Sequence, residues 1–137
     1  MNAANSRAVV LLHGLPLGGA DRFADLVVLE DDLIAVGFHS IRFEWPRSDF
    51  NPLRELMDRK RSFAQTLAAE FDALLRQTIA GRYANRKWLV AAHSGGGSVF
   101  YQWLLHQATQ FRQDYGSLPC YALLFAAPYQ CQLERFY

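Results

Sequence analysis

Five consecutive apolar residues, Ala8–Leu12, run directly into His13-Gly14. A strand that alternates polar and apolar residues can leave one face in water, whereas a strand with no polar position cannot. Ala8–Leu12 therefore asks for cover on both faces, which points to a parallel sheet between two layers of helix. The chain supplies such cover in alternation. From Asp21, the apolar residues Phe23, Leu26, Val27, Leu33 and Ile34 recur at helical spacing, and Gly37 stands where a helix-ending glycine belongs. His39–Trp45 then alternates, with Ile41, Phe43 and Trp45 on one side and Arg42 and Glu44 on the other. That is the pattern of a strand with one solvated face, at or near a sheet edge.

After the polar loop Pro46–Asn51, Asn51-Pro52 reads as an N-cap followed by proline at the first helical position. The stripe Phe63, Leu67, Phe71, Leu74, Leu75 and Ile79 predicts the clearest helix, with Gly81 beyond its end. Arg59-Lys60-Arg61, early in this region, reads as a solvated helix surface. Trp88–Ala92 is a third apolar strand, followed by Gly95-Gly96-Gly97. The helix that comes next carries Phe100, Trp103, Leu104 and Phe111 and ends at Gly116. Cys120–Ala127 is a fourth strand, stopped by Pro128. The order β-α-β-α-β-α-β predicts an α/β three-layer sandwich with a mainly parallel sheet of about four strands and right-handed crossovers.

The 137 residues are read as one domain, spanning 1–137. With 14 basic and 13 acidic residues there is no broad basic field, so nucleic acid is not an expected partner. No apolar run approaches the roughly 18 residues of a membrane span. The apolar stretch after Arg7 stops at His13-Gly14 and is not read as a signal peptide. Cys120 and Cys131 make neither a disulfide framework nor a metal site, and are expected as free, buried or half-buried thiols in the cytoplasm. No cofactor and no metal are expected.

In open parallel sheets the functional groups gather at the carboxyl ends of the strands. Here those ends are His13-Gly14, His93-Ser94-Gly95 and Ala127-Pro128. The middle one is the most informative. Ser94 lies between a strand and a helix, with Ala92 two before it and Gly96 two after, which fits the small-x-Ser-x-small pattern of a nucleophile elbow. The requirement is steric: a serine held on so tight a turn leaves no room for side chains at the flanking positions. Its hydroxyl then stands at a helix N-terminus, where free N–H groups favour negative charge.

At these residues the chain resembles an α/β-hydrolase. Val9-Val10-Leu11-Leu12-His13-Gly14 is similar to that family's strand and HG oxyanion loop. Ala91-Ala92-His93-Ser94-Gly95-Gly96 resembles its G-H-S-x-G-G elbow, with Ala92 in place of the usual glycine. Leu123-Leu124-Phe125-Ala126-Ala127-Pro128 resembles the strand after the elbow helix. The resemblance implies a serine hydrolase of esterase, lipase or peptidase type acting on a small-molecule ester or amide. It makes Ser94 the nucleophile, Gly95 and Leu15 the oxyanion donors, and His13, Gly14, Ala92, His93 and Gly96 the supporting residues.

The family's order is Ser, then Asp or Glu, then His. After Ser94 the only histidine is His106 and the only acids are Asp114 and Glu134. His106 lies twelve residues along a helix, roughly 18 Å away, so it is excluded as base if that helix is continuous. His93 adjoins Ser94, but adjacent side chains are expected to leave the elbow in different directions. His13 is expected to be architectural, and His39 to lie at the far end of the sheet. Glu134 is read as a tail residue. The chain thus looks like the central part of an α/β-hydrolase, expected to be nearly inactive alone. Two other readings compete. One is a non-catalytic module that pairs with a second copy or a complementing chain through open sheet edges. The other is a phosphate or nucleotide binder using Gly95-Gly96-Gly97, although neither glycine cluster spells a P-loop or G-x-G-x-x-G.

Overall fold

The structure, a computed structural model, describes residues 7–14, 22–44, 62–83 and 87–125. In chain order it contains β1 (Arg7–Leu12), a 3-10 turn (Ala24–Leu26), α1 (Val27–Ala35) and β2 (Phe38–Phe43). These are followed by α2 (Ser62–Arg82), β3 (Trp88–His93), α3 (Gly95–His106), α4 (Ala108–Tyr115) and β4 (Tyr121–Phe125). The strands form one parallel sheet in the order β2-β1-β3-β4. This is the α/β sandwich that the alternation of elements predicts. The Pro46–Asn51 loop, Asn51-Pro52, Arg59-Lys60-Arg61, Ala127-Pro128, Cys131 and Glu134 lie outside the described residues.

The pleat of β1 divides the core in two. Ala8, Val10 and Leu12 face one layer, where they meet Leu67, Phe71, Leu75 and Ile79 of α2, Phe100 and Trp103 of α3, and Phe111 of α4. Val9 and Leu11 face the other, against Phe23 and Leu26 beside α1. All five residues Ala8 to Leu12 are fully buried, as their unbroken apolar run requires. Full burial of each large side chain contributes about 1.5–3 kcal/mol.

A polar chain staples the helices of the first layer. The buried Trp103 indole donates to Asp72 at 2.9 Å, Arg76 reaches Asp72 and Asp114 at 2.7 Å each, and its guanidinium lies over Phe111 and Tyr115. Arg76 in turn holds the Asp114 carboxyl below its ordinary pKa.

Several boundaries differ from the sequence expectations. The predicted helix through Phe111 breaks at Gln107 into α3 and α4. A straight helix to Tyr115 would run about 30 Å, well past the roughly 20 Å of a six-residue strand. The break lets Phe111 turn under the sheet against Trp88 and Trp103. Ile34 is 49% exposed rather than on the buried stripe, and Cys120 is an exposed thiol rather than a buried one. Arg42 and Glu44 are exposed, as the alternation of β2 predicts, and on that face buried Glu30 of α1 pairs with Arg42 at 2.6 Å and accepts from Ser40 at 2.5 Å. Gly37, with φ +99°, does end α1 as expected.

Gly81 lies inside α2 rather than after it, and a Cβ placed there would meet nothing within 4 Å. Gly81→Ala is therefore expected to stabilise the fold by about 0.5–1 kcal/mol, because alanine gives up less backbone entropy in a helix. Denaturant melts of the two proteins check this; a loss of stability would contradict the open environment.

Candidate functional site

The carboxyl ends of β1 and β3 lie side by side, since the two strands pair in parallel from Ala8↔Trp88 to Leu12↔Ala92. This register brings His13-Gly14 against His93-Ser94. The chain leaves β3 through a single residue, Ser94, before α3 begins at Gly95. Ser94 has φ 51° and ψ −116°, and it is the only non-glycine residue with positive φ among the described residues. Such a conformation costs on the order of 1–3 kcal/mol and persists only where the surroundings impose it. Two backbone bonds do so: the Ser94 N–H donates to Phe125 of β4 at 2.8 Å, and the Gly97 N–H donates to the Ser94 carbonyl at 2.9 Å.

The flanking small residues are under steric demand. A Cβ on Gly96 would lie 2.5 Å from the Leu12 carbonyl oxygen and 2.8 Å from that of His13, so α3 starts in direct contact with the end of β1. A Cβ on Gly14 would lie 2.9 Å from His93 Nδ1, from the His93 carbonyl oxygen and from Ser94 Cβ. Ala92 is fully buried between Leu12 and Leu124. Backbone therefore passes over backbone at the elbow, with no space for larger groups. At the start of α3 the first N–H groups, Gly95's among them, have no partner within the helix and present positive potential beside Ser94.

The histidines separate clearly. His13 is 1% exposed; its Nδ1 donates to the Gly14 carbonyl at 2.7 Å, and its ring stands edge-on to Phe23. Phe23 also carries the Arg42 guanidinium over its ring at 4.7 Å. His39 pairs in register with Ala8 at the opposite end of the sheet and stacks on Tyr83. His106 is exposed at the end of an unbroken α3, with its ring near Gln102, and so stays roughly 18 Å from Ser94. His93 is half-buried, and its Nδ1 lies 3.5 Å from the Asp25 carboxylate on the 3-10 turn. Leu15 lies outside the described residues.

Asp25 had no local signature in the sequence. It sits in a turn with no neighbouring motif, and only the packing of that turn on the end of β3 brings it to His93. The Glu30–Arg42 pair was equally hidden, because neither residue predicts the other across an α-β crossover.

Compared with known proteins, the chain matches no family model, no curated protein and no solved structure. Among the described residues no helix is long and apolar enough to cross a membrane.

Proposed function

We propose that this chain is a serine hydrolase of α/β-hydrolase type, with Ser94 the nucleophile in acyl transfer from a small ester or amide. One observation carries the reading: a serine with φ 51° at a one-residue junction between strand and helix, with Gly14 packed against its Cβ. Strain of this kind gathers at functional sites, and this one falls on a serine at a helix N-terminus, where a nucleophile elbow would hold it. In the proposed step the Ser94 Oγ bonds to the substrate's acyl carbon and its proton passes to a base. The carbonyl oxygen, now negative, accepts from the Gly95 N–H, and by the resemblance also from that of Leu15. The alcohol or amine leaves with a proton, and water then releases the acid by the same route.

The test is covalent capture. An alkyl fluorophosphonate is expected to label the protein once, at Ser94, with loss of fluoride, and Ser94→Ala is expected to remain unlabelled. Intact mass and peptide mapping read both. A wild-type protein that stays unlabelled while folded would overturn the proposal.

A further inference from the structure

We infer that Arg42 and Phe23 are positioning residues for the nucleophile, acting on Ser94 through His13 and Gly14. The inference rests on the serine-hydrolase reading above. It ties a solvent-facing residue of β2 to the elbow at the end of β3.

The argument starts from two buried polar side chains that the proposed step does not use. His13 is 1% exposed and Glu30 is 6% exposed. Burying such groups is unfavourable unless each finds a partner. Their partners form one series of contacts. Glu30 accepts from two nitrogens of the Arg42 fork, Nε at 2.9 Å and Nη2 at 2.6 Å. A two-point hold of this kind fixes the plane of the guanidinium. The guanidinium lies 4.7 Å from the centre of the Phe23 ring, which is fully buried. The Phe23 ring meets that of His13 at 5.1 Å and 77°, the edge-to-face arrangement. His13 Nδ1 then donates to the Gly14 carbonyl at 2.7 Å.

This last bond joins a side chain to the backbone of the next residue. Over so short a span, the orientation of the ring and that of the carbonyl are set together. A smaller side chain at position 23 leaves the His13 ring room to turn, and the Gly14 carbonyl turns with it.

Gly14 has no tolerance for such a shift. Ser94 Cβ, His93 Nδ1 and the His93 carbonyl oxygen each lie 2.9 Å from the point a Cβ on Gly14 would occupy. One carbon–carbon bond further back, the Gly14 Cα is within about 4.5 Å of Ser94 Cβ. The glycine whose carbonyl His13 holds is therefore seated against the strained residue itself. A positive φ at Ser94 persists only where the surroundings impose it, and Gly14 is one of those surroundings.

The experiment measures labelling of Ser94 by the alkyl fluorophosphonate, per folded molecule, at saturating and at limiting probe. Arg42→Met and Phe23→Leu are each expected to lower the saturated rate about 10-fold, the scale of a small misplacement of a reacting group, with the probe concentration for half-saturation unchanged. The double variant is expected to lose about 10-fold rather than 100-fold, because residues in one series of contacts do not act additively. Arg42→Lys, which keeps a cation over the ring, is expected to retain most of the rate. Melting curves give the folded fraction of each variant. Should Phe23→Leu fail to fold, the two Arg42 variants decide. A role in stability alone would lower the melting temperature and leave the rate per folded molecule at the wild-type value. That result for Arg42→Met, or losses that multiply in a folded double variant, would overturn the inference while Ser94 stands as nucleophile. A wild-type protein that does not label at all removes both proposals together.

Discussion

Gly96→Val is expected to abolish cooperative folding, and Gly96→Ala to cost about 3 kcal/mol. The first atoms that a Cβ at this position meets are the Leu12 and His13 carbonyl oxygens, at 2.5 and 2.8 Å. Both belong to the backbone at the end of β1, a strand that is buried and paired on each side. No rotamer change can relieve the contact. The cost is met by moving α3 off the sheet, which opens the packing of Phe100 and Trp103 as well. For a chain of this size, 3 kcal/mol corresponds to a fall in Tm of about 10 °C. Gly81→Ala supplies the contrast, because the same added methyl in open space is expected to raise Tm. Thermal melts of the two alanine variants side by side check the argument; equal effects would show that Gly96 does not sit under the contact described. A helix pushed away from β1 also takes the Gly95 N–H with it, so Gly96→Ala is expected to slow Ser94 labelling beyond any loss of folded protein.

Arg42→Met is expected to destabilise the protein by about 2 kcal/mol at neutral pH and by little in acid. Removing one partner of a fully buried pair costs about 3–5 kcal/mol. The figure is reduced here because the Arg42 side chain is 36% exposed, while that of Glu30 is 8% exposed. The hydrogen bond from Arg42 holds the Glu30 carboxyl below its ordinary pKa, against the opposing effect of burial, with a further contribution from Ser40. The sign follows from linkage. A carboxylate with a lowered folded pKa contributes stability that is present above the unfolded value of about 4.3 and is lost as pH falls through the folded value. Wild type should therefore lose stability more steeply than the variant between about pH 5 and pH 3, and the two curves should converge. Denaturant midpoints across that range measure it. A constant gap at all pH values would mean that the variant loses only the packing of the Arg42 guanidinium over Phe23.

The sheet and its helices were legible because their signals are local. The apolar run of β1 demands cover wherever it is placed, and the stripe Leu67, Phe71, Leu75 and Ile79 selects one face of α2 without reference to any neighbour. The small residues around Ser94 likewise announced a tight turn. Less was legible where length or partner decides. The break at Gln107 depends on how far α3 can run beside β3, which no residue at the break encodes. Gly81 looked like a helix end because glycine usually marks one, yet α2 continues through it.

By itself the sequence determined a parallel sheet covered on both faces, the order of its elements, and the crowding of glycines at the end of β3. These follow from side-chain size and periodicity, which act over a few residues. Only the tertiary structure decided the register of β1 on β3 that sets Gly14 against His93 and Ser94. It alone brought Asp25 to His93 and Glu30 to Arg42. Charge pairing of this kind depends on distance in space, and a parallel crossover joins residues that no local pattern connects.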